Sequence, residues 1–169
     1  MTARDAGSAL MRRALAEMQA DRRALAERDA DLDRFVAAMP GHEDVQAAAL
    51  ALVLERTYTG LENLLERLIR AFDGDVHRRD GDWHRSLLEA AALDVPQLRP
   101  AVLVRCARAV DELRRFRHFV RHAYAAPLDT ARVHELARAW QVARPDLTAD
   151  LDRFETFLAD LATHLDAQP

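Results

Sequence analysis

The run Arg117-His118-Phe119-Val120-Arg121-His122-Ala123-Tyr124 places two guanidinium groups, two imidazoles and a phenol within one short segment. Each type suits chemistry on a phosphate. A guanidinium matches phosphate oxygens with a rigid planar fork and keeps its charge at any working pH. An imidazole takes or gives a proton near neutrality. Together they supply what RNA cleavage without a metal requires. The imidazole takes the proton of a ribose 2′-hydroxyl or protonates the leaving oxygen, while the arginine holds the scissile phosphate and stabilises the charge that grows on it.

At about 100° per residue on a helix, Arg114, Arg117, Arg121 and Tyr124 fall in one sector. His118 and His122, one turn apart, lie beside them. Leu113, Phe116, Phe119, Val120 and Ala123 gather elsewhere and are expected to form the packing face. The whole basic stripe is therefore expected to point away from the core, with Arg114, His118 and Arg121 as secondary phosphate contacts. Between Arg99 and Ala125 there are seven Arg against Asp111 and Glu112, a local +5 in a chain whose formal net charge is −4. A positive patch of this kind is what phosphate contacts need. Arginines and histidines on a helical face also make an ordinary solvated surface, and spacing alone leaves that reading open. The i, i+4 pair His118/His122 has the spacing of a metal site, but no carboxylate or Cys joins it on that face. The neighbouring guanidinium groups oppose a cation, so no metal and no cofactor is expected.

Composition says which elements position this run. Ala, Leu, Arg and Glu dominate, and Val, Ile, Thr and Tyr are too few for a sheet, so the class is all-α. The 169 residues fit one domain, residues 1–169. A first helix is expected over 8–38, with Leu10, Ala14, Met18, Leu25, Leu32 and Phe35 as its apolar stripe and Met39-Pro40-Gly41 as its end. A second runs over 43–72, with Val45, Ala49, Leu52, Leu61, Leu65 and Leu68 buried, and Gly74 closes it. The two should form a long antiparallel hairpin. Residues 73–82 read as a loop. A short helix follows from Trp83 to before Pro96, and a fourth from Pro100 to about Ala125, stopped by Pro127. Asp129 or Thr130 caps the next helix, and Pro145 kinks or breaks it before a last amphipathic segment. About five to six helices result.

Several function classes drop out. The basic residues are all Arg, and the negative total gives no global field for nucleic acid. The single Cys106 excludes an internal disulfide and reads as a small buried hydrophobe. Charge begins at Arg4 and Asp5 and no run reaches membrane length, so a cytoplasmic protein without membrane insertion is expected. Trp83-His84 either lines a cleft or anchors its helix in the bundle. Glu62 and Asn63 are placed to orient a histidine, but Glu62 reads first as one of many exposed acids.

Arg117, four residues, His122, one residue and Tyr124 spell R-x4-H-x-Y. This run on a late helix of a small bundle resembles the HEPN superfamily, and specifically the HepT ribonuclease toxins of bacterial toxin–antitoxin pairs. The longer string from Arg114 to Tyr124 followed by Leu128-Asp129, together with Trp83-His84-Arg85-Ser86-Leu87-Leu88 and Tyr58-Thr59-Gly60-Leu61-Glu62, is similar to a HepT-like subgroup. The likeness covers most of the chain from about Val45 onward.

The resemblance implies a HEPN-type bundle and a metal-independent endoribonuclease. It implies a homodimer through the helix carrying Arg117–Tyr124, so that two R-x4-H motifs meet at the RNA-cleaving cleft. Arg117 would polarise the phosphate and His122 would serve as general acid/base. Tyr124 matches the tyrosine that a cognate minimal nucleotidyltransferase antitoxin adenylylates to silence the toxin. An AMP group there would add charge and bulk to a cleft that must receive RNA. Two other readings remain: a non-catalytic HEPN domain that binds a nucleotide or a nucleotidyltransferase partner, and a helical interaction protein with a solvated arginine stripe.

Overall fold

Strong helix formers in long amphipathic stretches give helices here and little else. The computed structural model describes residues 3–37, 42–74, 83–122 and 128–167. Among these lie five helices: α1 (Ala3–Ala37), α2 (Glu43–Asp73), α3 (Trp83–Ala92), α4 (Ala107–His122) and α5 (Thr130–Ala167). The described residues contain no strand beyond one isolated bridge between Val95 and Arg99. The expected turn at 39–41, most of the 73–82 loop and the stop at Pro127 lie outside the described residues.

Cross-helix contacts set the topology. Gln46 donates to the Phe35 carbonyl at 2.7 Å, and the Arg67 Nε donates to Asp21 at 3.1 Å, so α1 and α2 run antiparallel. On the other flank of α1, Ser8 donates to Asp166 at 2.6 Å and Gln19 to Glu155 at 2.7 Å. Further along, the Trp140 indole donates to Asp29 at 2.9 Å. Here too partner numbers fall as α1 numbers rise, so α5 is antiparallel to α1. Gly60 permits close approach of the hairpin, since a Cβ there would sit 3.3 Å from Leu25 Cδ2. The core is one cluster in which Trp140, Tyr58, Phe154, Met18 and Leu32 are the largest fully buried side chains. Removing such groups from water is the main favourable term in forming the bundle.

Three expectations about elements need correction. Pro145 neither breaks nor divides the last segment, and α5 runs through it. Proline leaves the Gln141 carbonyl without its helical donor, but buried side chains before it (Val133, Leu136, Trp140) and after it (Leu147, Leu151, Phe154) hold both halves on the same core. Next, α4 starts at Ala107 and not at Pro100. Ala101, Val102 and Leu103 are all buried, which suits a segment covered on several sides better than an amphipathic turn. The Val102 and Leu103 amides donate to the Ala91 carbonyl at 2.8 and 3.0 Å. Last, Val45 and Leu52 of α2 are exposed, and the buried row there runs through Ala47, Leu50, Ala51, Leu54 and Tyr58. Apolar residues surround that part of α2, so periodicity could not choose the face.

Two caps match their residues. Asp129 accepts from the Arg132 amide at 3.1 Å at the head of α5. Gly74, at φ +79°, ends α2 by donating its amide to the Arg70 carbonyl. The head of α4 is held from a distance. Asp150 of α5 is buried, and its Oδ2 accepts from the amides of Val104, Arg105 and Cys106 at 2.8, 2.8 and 3.1 Å. Cys106 is buried as expected. Burial and the nearby Asp150 charge push its thiol up, so it stays protonated.

Candidate functional site

α4 is rotated from the expected orientation, and this decides where its arginines go. Val110, Leu113, Phe116 and Arg117 are buried, whereas Phe119, assigned to the packing face, is 47% exposed. The basic stripe therefore does not point outward as a unit. Arg117 turns into the bundle and is only 9% exposed. Arg114 is half-buried, His118 and Arg121 are exposed, and His122 ends the helix. The side chain of His122 and all of Tyr124 lie outside the described residues.

Arg117 meets groups from two other helices. Tyr58 and Glu62 stand four residues apart on the buried side of α2, in the row continued by Leu61, Leu65 and Ile69. His84 comes from the first turn of α3. The Arg117 Nη2 lies 3.6 Å from Glu62 Oε2, its Nη1 lies 3.5 Å from His84 Nε2, and its Cζ sits 5.5 Å above the Tyr58 ring. Glu62 is bonded through Oε1 to His84 Nδ1. It is 5% exposed, which corrects the expectation of a surface acid. The Trp83 and His84 rings lie against one another at 4.3 Å, and Trp83 also packs on the core, so the residue serves as an anchor. Asn63, one position on, is exposed.

The cluster is held loosely. Among the described residues no well-formed hydrogen bond reaches the buried Tyr58 hydroxyl or the buried Arg117 Nε. Burial raises the Tyr58 phenol, and the Glu62 charge raises it further against the opposing pull of Arg117 and Arg114. It therefore remains a phenol throughout the physiological range.

The outer residues are paired differently. The Arg114 Nε donates to Asp111 at 2.7 Å, and Arg115 pairs with the same carboxylate at 2.8 Å. Burial alone would raise Asp111, but these two arginines hold it below the ordinary carboxylate range. The Arg121 Nε donates to Glu55 of α2 at 3.0 Å. Of the expected phosphate contacts, Arg114 and Arg121 are engaged with acids, and His118 is exposed. Among the described residues, no three His, Cys, Asp or Glu are grouped to hold a metal ion. No described helix is long and apolar enough to cross a membrane.

Sequence reasoning missed the burial of Glu62, the contact of His84 with Arg117 and the place of Tyr58. A signal existed for the first. Positions 58, 61, 62, 65 and 69 repeat at three and four, which puts Glu62 within an otherwise apolar row. An acid in such a row asks for a buried cation.

Residues 49–158 match a family model described as HepT-like protein. No curated protein and no solved structure matches the chain.

Proposed function

The chain belongs to the HepT-like family, and from that premise we propose that it is the toxin of a toxin–antitoxin pair, a metal-independent endoribonuclease that cleaves cellular RNA. The observation that carries this reading is the burial of Arg117, the arginine of the R-x4-H run, against a carboxylate from α2 and an imidazole from α3. A solvated stripe has no use for such an arrangement. A preorganised guanidinium does, because a donor already fixed in place needs no reorganisation when charge develops on phosphate.

In this reading the guanidinium of Arg117 stabilises the charge that grows on the scissile phosphate. His122, one turn further along α4, takes the proton of the ribose 2′-hydroxyl or protonates the leaving oxygen. His118, Arg121 and Arg114 add phosphate contacts, for which Arg121 and Arg114 exchange or share their acid partners. A second copy completes the cleft by packing along the same helix. Its support is the exposed Phe119 beside Leu128, apolar surface at the end of α4 where the motif lies. Adenylylation of Tyr124 by a cognate nucleotidyltransferase antitoxin silences the enzyme, because the added phosphate repels RNA and the adenosine fills the cleft.

The test is induction of the chain in a bacterial host beside Arg117→Met and His122→Ala variants at equal soluble expression, with total RNA run on a gel. Wild type should stop growth and fragment RNA while both variants do neither. Harmless wild-type protein, or intact cleavage by His122→Ala, would overturn the reading. A domain that binds a nucleotide or a nucleotidyltransferase without catalysis would then take its place.

A further inference from the structure

We propose that His84, tethered by Glu62, is the positioning residue that fixes the guanidinium of Arg117. The inference rests on the ribonuclease reading for its consequence, but its geometry stands apart from it. A carboxylate can only accept, so the His84 Nδ1 facing Glu62 Oε1 donates. A guanidinium can only donate, so the Nε2 that faces Arg117 Nη1 at 3.5 Å presents its lone pair. The two contacts select the same tautomer, with the ring hydrogen on Nδ1. Glu62 is buried and grips the imidazole through one oxygen while its other oxygen lies 3.6 Å from Arg117 Nη2. The two terminal nitrogens of Arg117 are therefore each faced by a different member of one carboxylate–imidazole pair, and Tyr58 closes the flat side. The indole of Trp83 lies against the His84 ring and limits its rotation. The side chain of His84 is 30% exposed against 6% for Glu62, so the pair runs from the interior to the rim of the cluster.

This arrangement does not hold α4 in place by strength, since neither contact to Arg117 is short. It sets direction. The guanidinium plane is aimed by a pair of acceptors while its Nε stays without a partner. A misaimed donor weakens transition-state stabilisation far more than it weakens the fold, because about 1 Å of displacement at a reacting group costs on the order of 100-fold in rate.

Two conservative variants separate the parts. Glu62→Gln keeps an acceptor for the His84 Nδ1–H and removes the charge that faces Arg117. His84→Asn keeps a donor towards Glu62 and removes the acceptor that faces Arg117. Each should lower kcat on a model RNA by about 10- to 100-fold with KM within about twofold, and should leave the melting temperature within about 2 °C. His122→Ala in the same assay reports on the ribonuclease reading itself. If wild type cleaves, His122→Ala does not, and either Glu62→Gln or His84→Asn retains wild-type kcat, the positioning role is overturned and the ribonuclease reading survives. A rate loss explained by unfolded protein overturns it as well. If wild type does not cleave RNA, the proposed function falls, and imidazole 15N chemical shifts of wild-type His84 decide the inference. A hydrogen on Nδ1 is expected, and a hydrogen on Nε2 would overturn it.

Discussion

Two arginines are buried among the described residues, and they are held in opposite ways. Arg99 is 2% exposed and spends every nitrogen. Its Nε donates to Asp73 at 2.8 Å, its Nη1 to the Leu93 carbonyl at 3.0 Å, and its Nη2 to the Ala90 carbonyl at 3.0 Å and again to Asp73. Arg117 has no partner at Nε and stands 3.5 and 3.6 Å from its two neighbours. Arg99 ties the end of α2 to the end of α3 and the turn after it. Arg117 ties down nothing as firmly. A buried cation that saturates its donors contributes rigidity, while one that leaves them unspent holds capacity for a ligand.

That contrast can be broken by measurement. The largest effect should come from Arg99→Met, which strands Asp73 and the carbonyls of Leu93, Ala90 and Pro100, and should cost about 3 kcal/mol or more in chemical denaturation. A loss below about 1 kcal/mol would end the distinction between the two arginines. Asp150→Ala strips the acceptor from three amides at the head of α4 and should cost about 2 kcal/mol by the same measurement. Arg117→Met replaces a poorly bonded cation with an apolar side chain of similar reach, and Glu62 keeps its bond to His84. Stability should change by no more than about 1 kcal/mol in either direction, while RNA cleavage disappears. Tyr58→Phe removes a buried hydroxyl that faces the Glu62 carboxylate without a well-formed hydrogen bond, and should change stability by no more than about 0.5 kcal/mol. A clear loss in that variant would mean that the hydroxyl is engaged. The smallest effect belongs to Asp29. Burial raises this carboxyl against the hydrogen bond from Trp140 and the charge of Arg144, so its ionised form weighs against the fold once pH rises past its unfolded value. Asp29→Asn keeps an acceptor for Trp140 and should raise the melting temperature at neutral pH by about 2 °C or less, with the gain shrinking as pH falls.

The fold was legible in the sequence where the pattern is clear. The α1 stripe holds through Ala14, Met18, Leu25 and Leu32, although Leu10 at its head is exposed, and the Asp129 cap and the Gly74 end stand where residue type placed them. The rotation of α4 was not legible. Phe119 and Phe116 outweigh Arg117 in any hydrophobic reading, so the apolar sector was centred on them. On the face that is buried, Arg117 meets a carboxylate from α2, and no local pattern on α4 records a partner more than fifty positions away. Pro145 is the same lesson in reverse, a strong local signal overruled by a core that both halves of α5 share. Residue types named the chemistry of the site, and long-range pairing decided which arginine was held for it.

The carboxylate of Asp150 has a mechanical consequence. α4 is clamped at its first turn, where one oxygen takes three amides, and it then extends for 16 residues to His122. At about 1.5 Å per residue the helix carries its far end roughly 24 Å from that clamp, with Val110, Leu113 and Phe116 packed on the core between. Over that length a tilt of about 5° would move the far end by about 2 Å, more than the proposed catalysis could tolerate. Asp150 sits at the opposite end of the helix from His122, and it anchors the near end of the element that carries both residues of the proposed catalytic pair.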